Sequence, residues 1–222
     1  MARKSKYALD RSTQPTLTNI IQTRIAEINL SSYPNGPALH FYHRILDLRL
    51  QFPIVSSFLQ SNDCIETLYA ALLSWGMNSR AAKMKDYADF KSNVQGASSA
   101  FQAVEAVSQS FTWTNRVPAV QAVSSLFDSL SLMKTEERTI SNSKCIHFIF
   151  PDLCIPVDNN TFKKLYKPSS DDEWAPATKE RFMEVLDFSC DVLAGISNPQ
   201  QYLDTIWNRN TMKIVDNAII LM

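Results

Sequence analysis

Glycine is scarce in this chain of 222 residues: Gly36, Gly76, Gly96 and Gly195 are the only four, and no two are close in sequence. That excludes a Walker phosphate loop and a dinucleotide-binding turn, which need clustered glycines to bring backbone amides onto phosphate. Paired cysteines are missing too. Cys64, Cys145, Cys154 and Cys190 make no CxxC and no zinc or iron–sulfur spacing, and four cysteines in a chain this long do not build a disulfide scaffold. There is no GxSxG elbow and no HExxH, so hydrolytic serine and zinc-protease chemistry gain no support. No apolar run reaches the roughly 18 residues of a membrane span. The N-terminus, with Arg3, Lys4 and Lys6, lacks the apolar stretch of a signal peptide. These absences predict a soluble, cytoplasmic protein with no membrane partner and no cofactor.

What is present is ordinary globular material, with 45% apolar and 20% charged residues. Strand patterns are rare and helical spacing is nearly continuous. Ile20, Ile21, Ile25 and Ile28 recur at helical intervals, and a second helix follows the YPNGP break at residues 33–37. Further helices are expected from Pro53, after Asn62-Asp63, from Ser79 through SRAAKMKDYADFKSN, over ASSAFQAVEAVSQSF, and from Pro118. SNSKCIHFIF is read as opening on an Asn or Ser cap and closing at Pro151, and Asp158 as the cap of NNTFKKLYK. PATKERFMEVLDFSCDVLAG, PQQYLDTIW and TMKIVDNAIILM complete the set. The expectation is an all-α protein, a compact bundle of nine or ten helices in a single domain over residues 1–222.

Charge is balanced overall, 22 basic against 22 acidic, but unevenly placed: residues 1–167 hold 18 Lys/Arg and 13 Asp/Glu, and residues 168–222 hold 4 and 9. Such asymmetry fits either a polyanion-facing half or the acidic loop Asp171-Asp172-Glu173 followed by a solvated helix face. Zero net charge speaks against tight non-specific DNA binding, which needs several clustered cations.

The stretch most open to a chemical reading is residues 141–162, SNSKCIHFIFPDLCIPVDNNTF. A short helix carries Lys144, and the extended link LCIPV delivers Asp158 to the start of the next helix. That geometry can bring an amine and a carboxylate to one cleft. A lysine near a helix N-terminus feels the positive end of the dipole, which favours its neutral, nucleophilic form. Asp158 at an N-cap stays ionised, suited to accept a proton or stabilise positive charge. The competing reading makes Lys144 a surface residue and Asp158 a cap only.

IPVDNNTF resembles the segment that carries the catalytic aspartate in helix-hairpin-helix DNA glycosylases, where a lysine helix and an extended link precede Val-Asp at a helix start. The resemblance implies two helical lobes flanking a DNA cleft, sketched here as residues 1–50 with 175–222 in one lobe and 53–167 in the other. It implies Lys144 as the nucleophile toward the sugar C1′, Asp158 as the aspartate supporting base departure, and double-stranded DNA as partner with the target nucleotide flipped out. The stretch ERTISNSK stands where that superfamily has a glycine hairpin, and the separation of 14 between Lys144 and Asp158 is shorter than usual there. More broadly, residues 33–216 resemble a group of prokaryotic proteins sharing Leu-x-Ser-Trp-Gly-Met, a lysine helix and a Pro-x-Asp turn, which implies a shared fold and no particular activity.

LLSWGMNSR at residues 72–80 is the other candidate region. Asn78, Arg80, Lys83 and Lys85 form a candidate phosphate-facing edge next to the aromatic Trp75, and Arg80, Lys83 and Lys85 with Ser143 make the candidate nucleic-acid-binding set. The bland reading makes Trp75 a core anchor, Gly76 a close-packing residue and Ser79 a cap. His40 and His43 share a helix face without a carboxylate at ligand spacing, so they read as packing residues and no metal site is expected. Two functions remain open: a glycosylase or lyase acting on a damaged base, or a non-catalytic helical module that binds nucleic acid or protein.

Overall fold

The computed structural model describes residues 7–30, 36–79, 83–167 and 175–222. These form an all-α fold. Its helices are α1 (Gln14–Thr23), α2 (Pro37–Gln51), α3 (Val55–Gln60), α4 (Asn62–Leu72), α5 (Tyr87–Gly96) and α6 (Ser98–Ser108), then α7 (Val117–Ser129), α8 (Thr139–Ile149), α9 (Asn159–Leu165), α10 (Lys179–Ala194) and α11 (Thr211–Leu221). Short 3-10 turns fill several links. One pair of two-residue strands, β1 (Ala8–Leu9) and β2 (Tyr166–Lys167), runs antiparallel with Leu9 opposite Tyr166. No helix among the described residues is long and apolar enough to cross a membrane.

Local chemistry explains most boundaries. Ser61 caps α4 by accepting from the Cys64 amide at 3.4 Å, one residue earlier than the Asn62-Asp63 expectation. Thr178 caps α10 and Asn210 caps α11 in the same way. Pro37 and Pro118 stand in the first turns of α2 and α7, where a missing N–H costs nothing.

Two expectations need correction. The helix expected from Ser79 begins only at Tyr87, capped by Asp86. Residues 83–85 are extended instead: Met84 bridges Met133, Lys134 N donates to Lys83 O at 2.8 Å and Lys85 N donates to Leu132 O at 3.0 Å. A tertiary ladder outweighs the local helical pattern there. Helix α8 opens at Thr139 with Arg138 in the cap position, so Ser141, Asn142 and Ser143 lie inside it. Their side chains are used otherwise. Asn142 donates to the carbonyls of Phe127 and Leu130 at 3.1 Å each, and Ser141 and Ser143 donate back to Arg138 O and Ile140 O at 3.0 Å.

One continuous core joins the described helices. α1 packs on α10 and α11, and α9 on α11. α2 packs on α4 and α8, so it belongs with the 53–167 group and not with the terminal helices. α8 lies between the groups and is buried on every side, as is most of α11. A helix apolar on one stripe only cannot occupy such a place. A four-member ion-pair cluster links the rim: Arg11 and Arg116 both contact Asp187 and Asp191, at 2.6–3.1 Å.

After α4 the backbone widens into a π-type turn over Leu73–Met77, in which Gly76 has φ +84°. A Cβ there would meet nothing closer than Ser79 Oγ at 3.6 Å. Backbone conformation, and not close packing, is therefore what requires glycine. Gly76→Ala is expected to cost about 1–2 kcal/mol, whereas Gly96→Ala, with open space around it, should be neutral or slightly stabilising. Urea denaturation of both variants checks this, and equal effects would refute the role given to Gly76.

Candidate active site

Helix α8 carries a buried lysine at a cavity wall. Lys144 stands in the middle of the helix and is 9% exposed. After α8 the chain turns at Pro151-Asp152 and runs back extended through Ile155-Pro156-Val157. The return is fixed from α8 itself: Val157 N donates to Ser143 Oγ at 3.2 Å, and His147 Nδ1–H donates to Cys154 O at 2.7 Å. Asp158 thereby arrives beside Lys144, at the head of α9.

Asp158 forms a full capping box. Its Oδ1 accepts from the amides of Asn160 at 2.8 Å and Thr161 at 3.0 Å, while its own amide donates to Thr161 Oγ1 at 3.1 Å. Every one of these bonds to the carboxylate falls on Oδ1, so Oδ2 is not spent on the cap. Lys144 and Asp158 line one cavity of about 300 Å³. They are not ion-paired: the Lys144 ammonium donates to the Trp75 carbonyl at 2.9 Å and lies 5.7 Å from the Trp75 ring centroid.

Three further residues complete the chemistry of this cavity. Lys213 and Asp216 project from α11 and form a buried ion pair, and Trp207 comes from the loop before it. The Lys213 ammonium also lies 5.0 Å from the Trp75 ring and 5.6 Å from the Trp207 ring, an attractive cation–π arrangement. Behind them stands an aromatic wall. Tyr42 stacks on His147 and on Trp207 with interplanar angles of 17° each, and Phe148 meets Trp75 edge-on at 4.8 Å. Asn210 ties wall to helix, donating to Tyr42 Oη at 2.6 Å and accepting the Lys213 amide at 2.9 Å. Trp75 is held from the other side by its indole N–H, which donates to Ala38 O at 3.1 Å.

Burial sets the electrostatics. It pushes the Lys144 amine down from 10.5 to about 8, against the opposing pull of Asp158 and Asp216. The cause is desolvation in mid-helix, and not the helix dipole expected from a first-turn position. The surface role for Lys144 is also overturned. Burial raises the Asp216 carboxyl despite Lys213 beside it, and holds His147 down near 3, so that imidazole is neutral.

The other candidate residues fall elsewhere. Ser143 is fully buried with its hydroxyl engaged by Ile140 O and Val157 N, which removes it from any phosphate-facing set. Its work is to hold the link that positions Asp158. Lys83 is exposed and Lys85 donates to Ser131 Oγ at 3.1 Å; both belong to the Met84–Met133 bridge and neither lines the cavity. Arg80 and the acidic run 171–173 lie outside the described residues. His43 makes a 2.7 Å hydrogen bond with Ile206 O and His40 packs edge-on against Phe41. Among the described residues no cluster of His, Cys, Asp or Glu could hold a metal ion, and the four cysteines are buried and free.

Lys213, Asp216 and Trp207 escaped the sequence reading. The signal for the first two was two opposite charges, i and i+3, inside the otherwise apolar TMKIVDNAIILM. Nothing local marks Trp207. Compared with family models, with curated proteins and with solved structures, the chain has no match.

The buried amine makes stability depend on pH in a defined direction. The folded-state pKa of Lys144, about 8, lies below its ordinary 10.5. Between those values the unfolded chain binds more protons, so stability rises with pH; below 8 both states are protonated and the penalty is constant. Wild type should therefore gain on Lys144→Met by on the order of 3 kcal/mol between pH 8 and 10.5. Comparing the two proteins cancels the titration of the cysteines and Tyr42. Parallel stability curves for the pair across that range would contradict the buried-charge account.

Proposed function

We propose that this chain is a DNA-repair-like enzyme of the glycosylase and lyase type, acting on a damaged or abnormal base flipped from double-stranded DNA. One observation carries the reading: Lys144 and Asp158, from two different helices, line a single cavity in which burial brings the amine to about 8. A lysine with a lowered pKa has a usable neutral fraction near physiological pH and is a competent nucleophile.

In this reading the Lys144 lone pair forms a bond to the sugar C1′ while the glycosidic C1′–N bond breaks, its electron pair leaving with the base. The base takes a proton, and Asp158 accepts the proton shed by the new C1′ ammonium. The nitrogen lone pair then opens the sugar ring by breaking C1′–O4′, with O4′ taking the proton held by Asp158, which leaves a protonated imine at Lys144. Asp158 next removes a C2′ proton, and the electron pair of that C–H bond expels the 3′ phosphate. Asp158 suits this role because the cap engages only Oδ1 and stabilises an anion at the head of α9. Trp75 and Trp207 line the cavity with apolar surface, which strengthens the interactions of these charges.

A panel of labelled duplexes carrying uracil, oxidised guanine, alkylated purines or an abasic site, treated with hot alkali, is the test. Lesion-specific cleavage is expected, lost by at least a hundredfold in Asp158→Asn. Asn caps a helix about as well as Asp, so this variant keeps the fold while losing the charge. Without alkali, nicking and borohydride capture should disappear in Lys144→Met. Absence of cleavage on every duplex would point instead to a non-catalytic binding module.

A further inference from the structure

The Lys213–Asp216 pair is not explained by the chemistry assigned to Lys144 and Asp158. It is also expensive. Lys213 is 4% and Asp216 7% exposed, and taking two charges out of water costs more than their mutual attraction returns unless their remaining valences are filled. Among the described residues those valences are not filled. Among the described residues Lys213 Nζ donates only to Asp216 Oδ2, and Asp216 Oδ1 accepts no hydrogen bond. An ammonium has three donors and a carboxylate about four acceptor positions, so most of the capacity of both groups is spare. Both line the cavity that holds Lys144.

A contacting Lys–Asp pair offers a donor and an acceptor side by side, held in fixed order by their i, i+3 positions on α11. The complementary ligand edge has an acceptor adjacent to a donor. A carbonyl next to a ring N–H, the lactam edge of oxopyrimidines and oxopurines, has this form. The walls suit a planar ring: Trp75 and Trp207 border the pair, with apolar Val157, Pro156 and Ile220. The two indoles are inclined at 51° with centroids 6.4 Å apart, so they do not form a parallel slot. Recognition therefore falls to the polar edge rather than to a stacking sandwich. Lys144 and Asp158 are not in contact with each other and cannot present such a fork.

We propose that Lys213 and Asp216 form the recognition element of the cavity, taking a neutral heterocycle with a lactam edge: Lys213 donates to the ring carbonyl and Asp216 accepts from the adjacent ring N–H. This names the base class for the enzyme reading above and rests on that reading only for the chemistry that follows binding. Specificity of this kind is strong, since a ligand lacking the N–H shuts water out of the site while leaving Asp216 Oδ1 without a donor.

The test is calorimetric titration of the full chain with 2′-deoxyuridine and 2′-deoxyinosine, each against its ring-N-methylated form, in which the donor is blocked. The parent nucleosides should bind at least tenfold more tightly than the methylated ones. Single substitutions would strand a buried charge, so the variant is Lys213→Met with Asp216→Leu, a paired replacement that buried ion pairs often tolerate without loss of stability. It should keep the fold by thermal unfolding and lose at least tenfold in nucleoside binding. Equal binding of parent and methylated nucleosides, undiminished binding by the double variant, or no binding of either parent at millimolar concentration would overturn the proposal. Nucleoside binding without base release from any duplex would sustain it and remove the enzyme reading instead.

Discussion

The hydrogen bond from the Lys144 ammonium to the Trp75 carbonyl, 2.9 Å long, joins the two parts of the molecule that make the cavity. On one side is α8, buried all round; on the other is the π-type turn that a glycine at position 76 favours. Because the turn widens after α4, the Trp75 carbonyl is released from the helical ladder and becomes available to a side chain. A buried ammonium must find such an acceptor or lose its charge. The same turn sets the Trp75 ring between Lys144 and Lys213, at 5.7 and 5.0 Å, so one local backbone feature organises both amines.

Around that bond the cavity carries two amines and two carboxylates in unequal states. Lys213 and Asp216 are joined in an ion pair, whereas Lys144 and Asp158 face the same space unjoined. Low dielectric surroundings strengthen every interaction among the four. The aromatic wall of Tyr42, His147, Phe148 and Trp207 stands behind them, and Asn210 locks it to α11 by bonding Tyr42 while capping the helix.

Much of the fold was legible along the chain. Apolar spacing marked Ile20 and Ile21 of α1, with Ile25 and Ile28 of the 3-10 turn after it, all of which are buried, and Asp158 was recognisable as a cap because an N-cap needs only residues within three positions of itself. The failures have a common cause. Residues 83–85 read as helix but pair with Met133 and its neighbours, and Ser143 read as surface but is buried where the link returns. Each depends on a partner remote in sequence, and local propensity is a weak prior against such a contact.

By itself the sequence determined the helical class, most helix starts, and the placing of Asp158 at a helix start that a short extended link joins to the helix carrying Lys144, because all of these follow from periodicity, caps and chain reach. Only the tertiary structure decided that Lys144 is buried in mid-helix, that Trp75, Trp207, Lys213 and Asp216 meet it in one cavity, and that α2 packs with α4 and α8 instead of with the terminal helices. The physical reason is range. Capping and amphipathic spacing act over one or two turns, whereas desolvation and charge–charge coupling depend on which distant segments fold against each other.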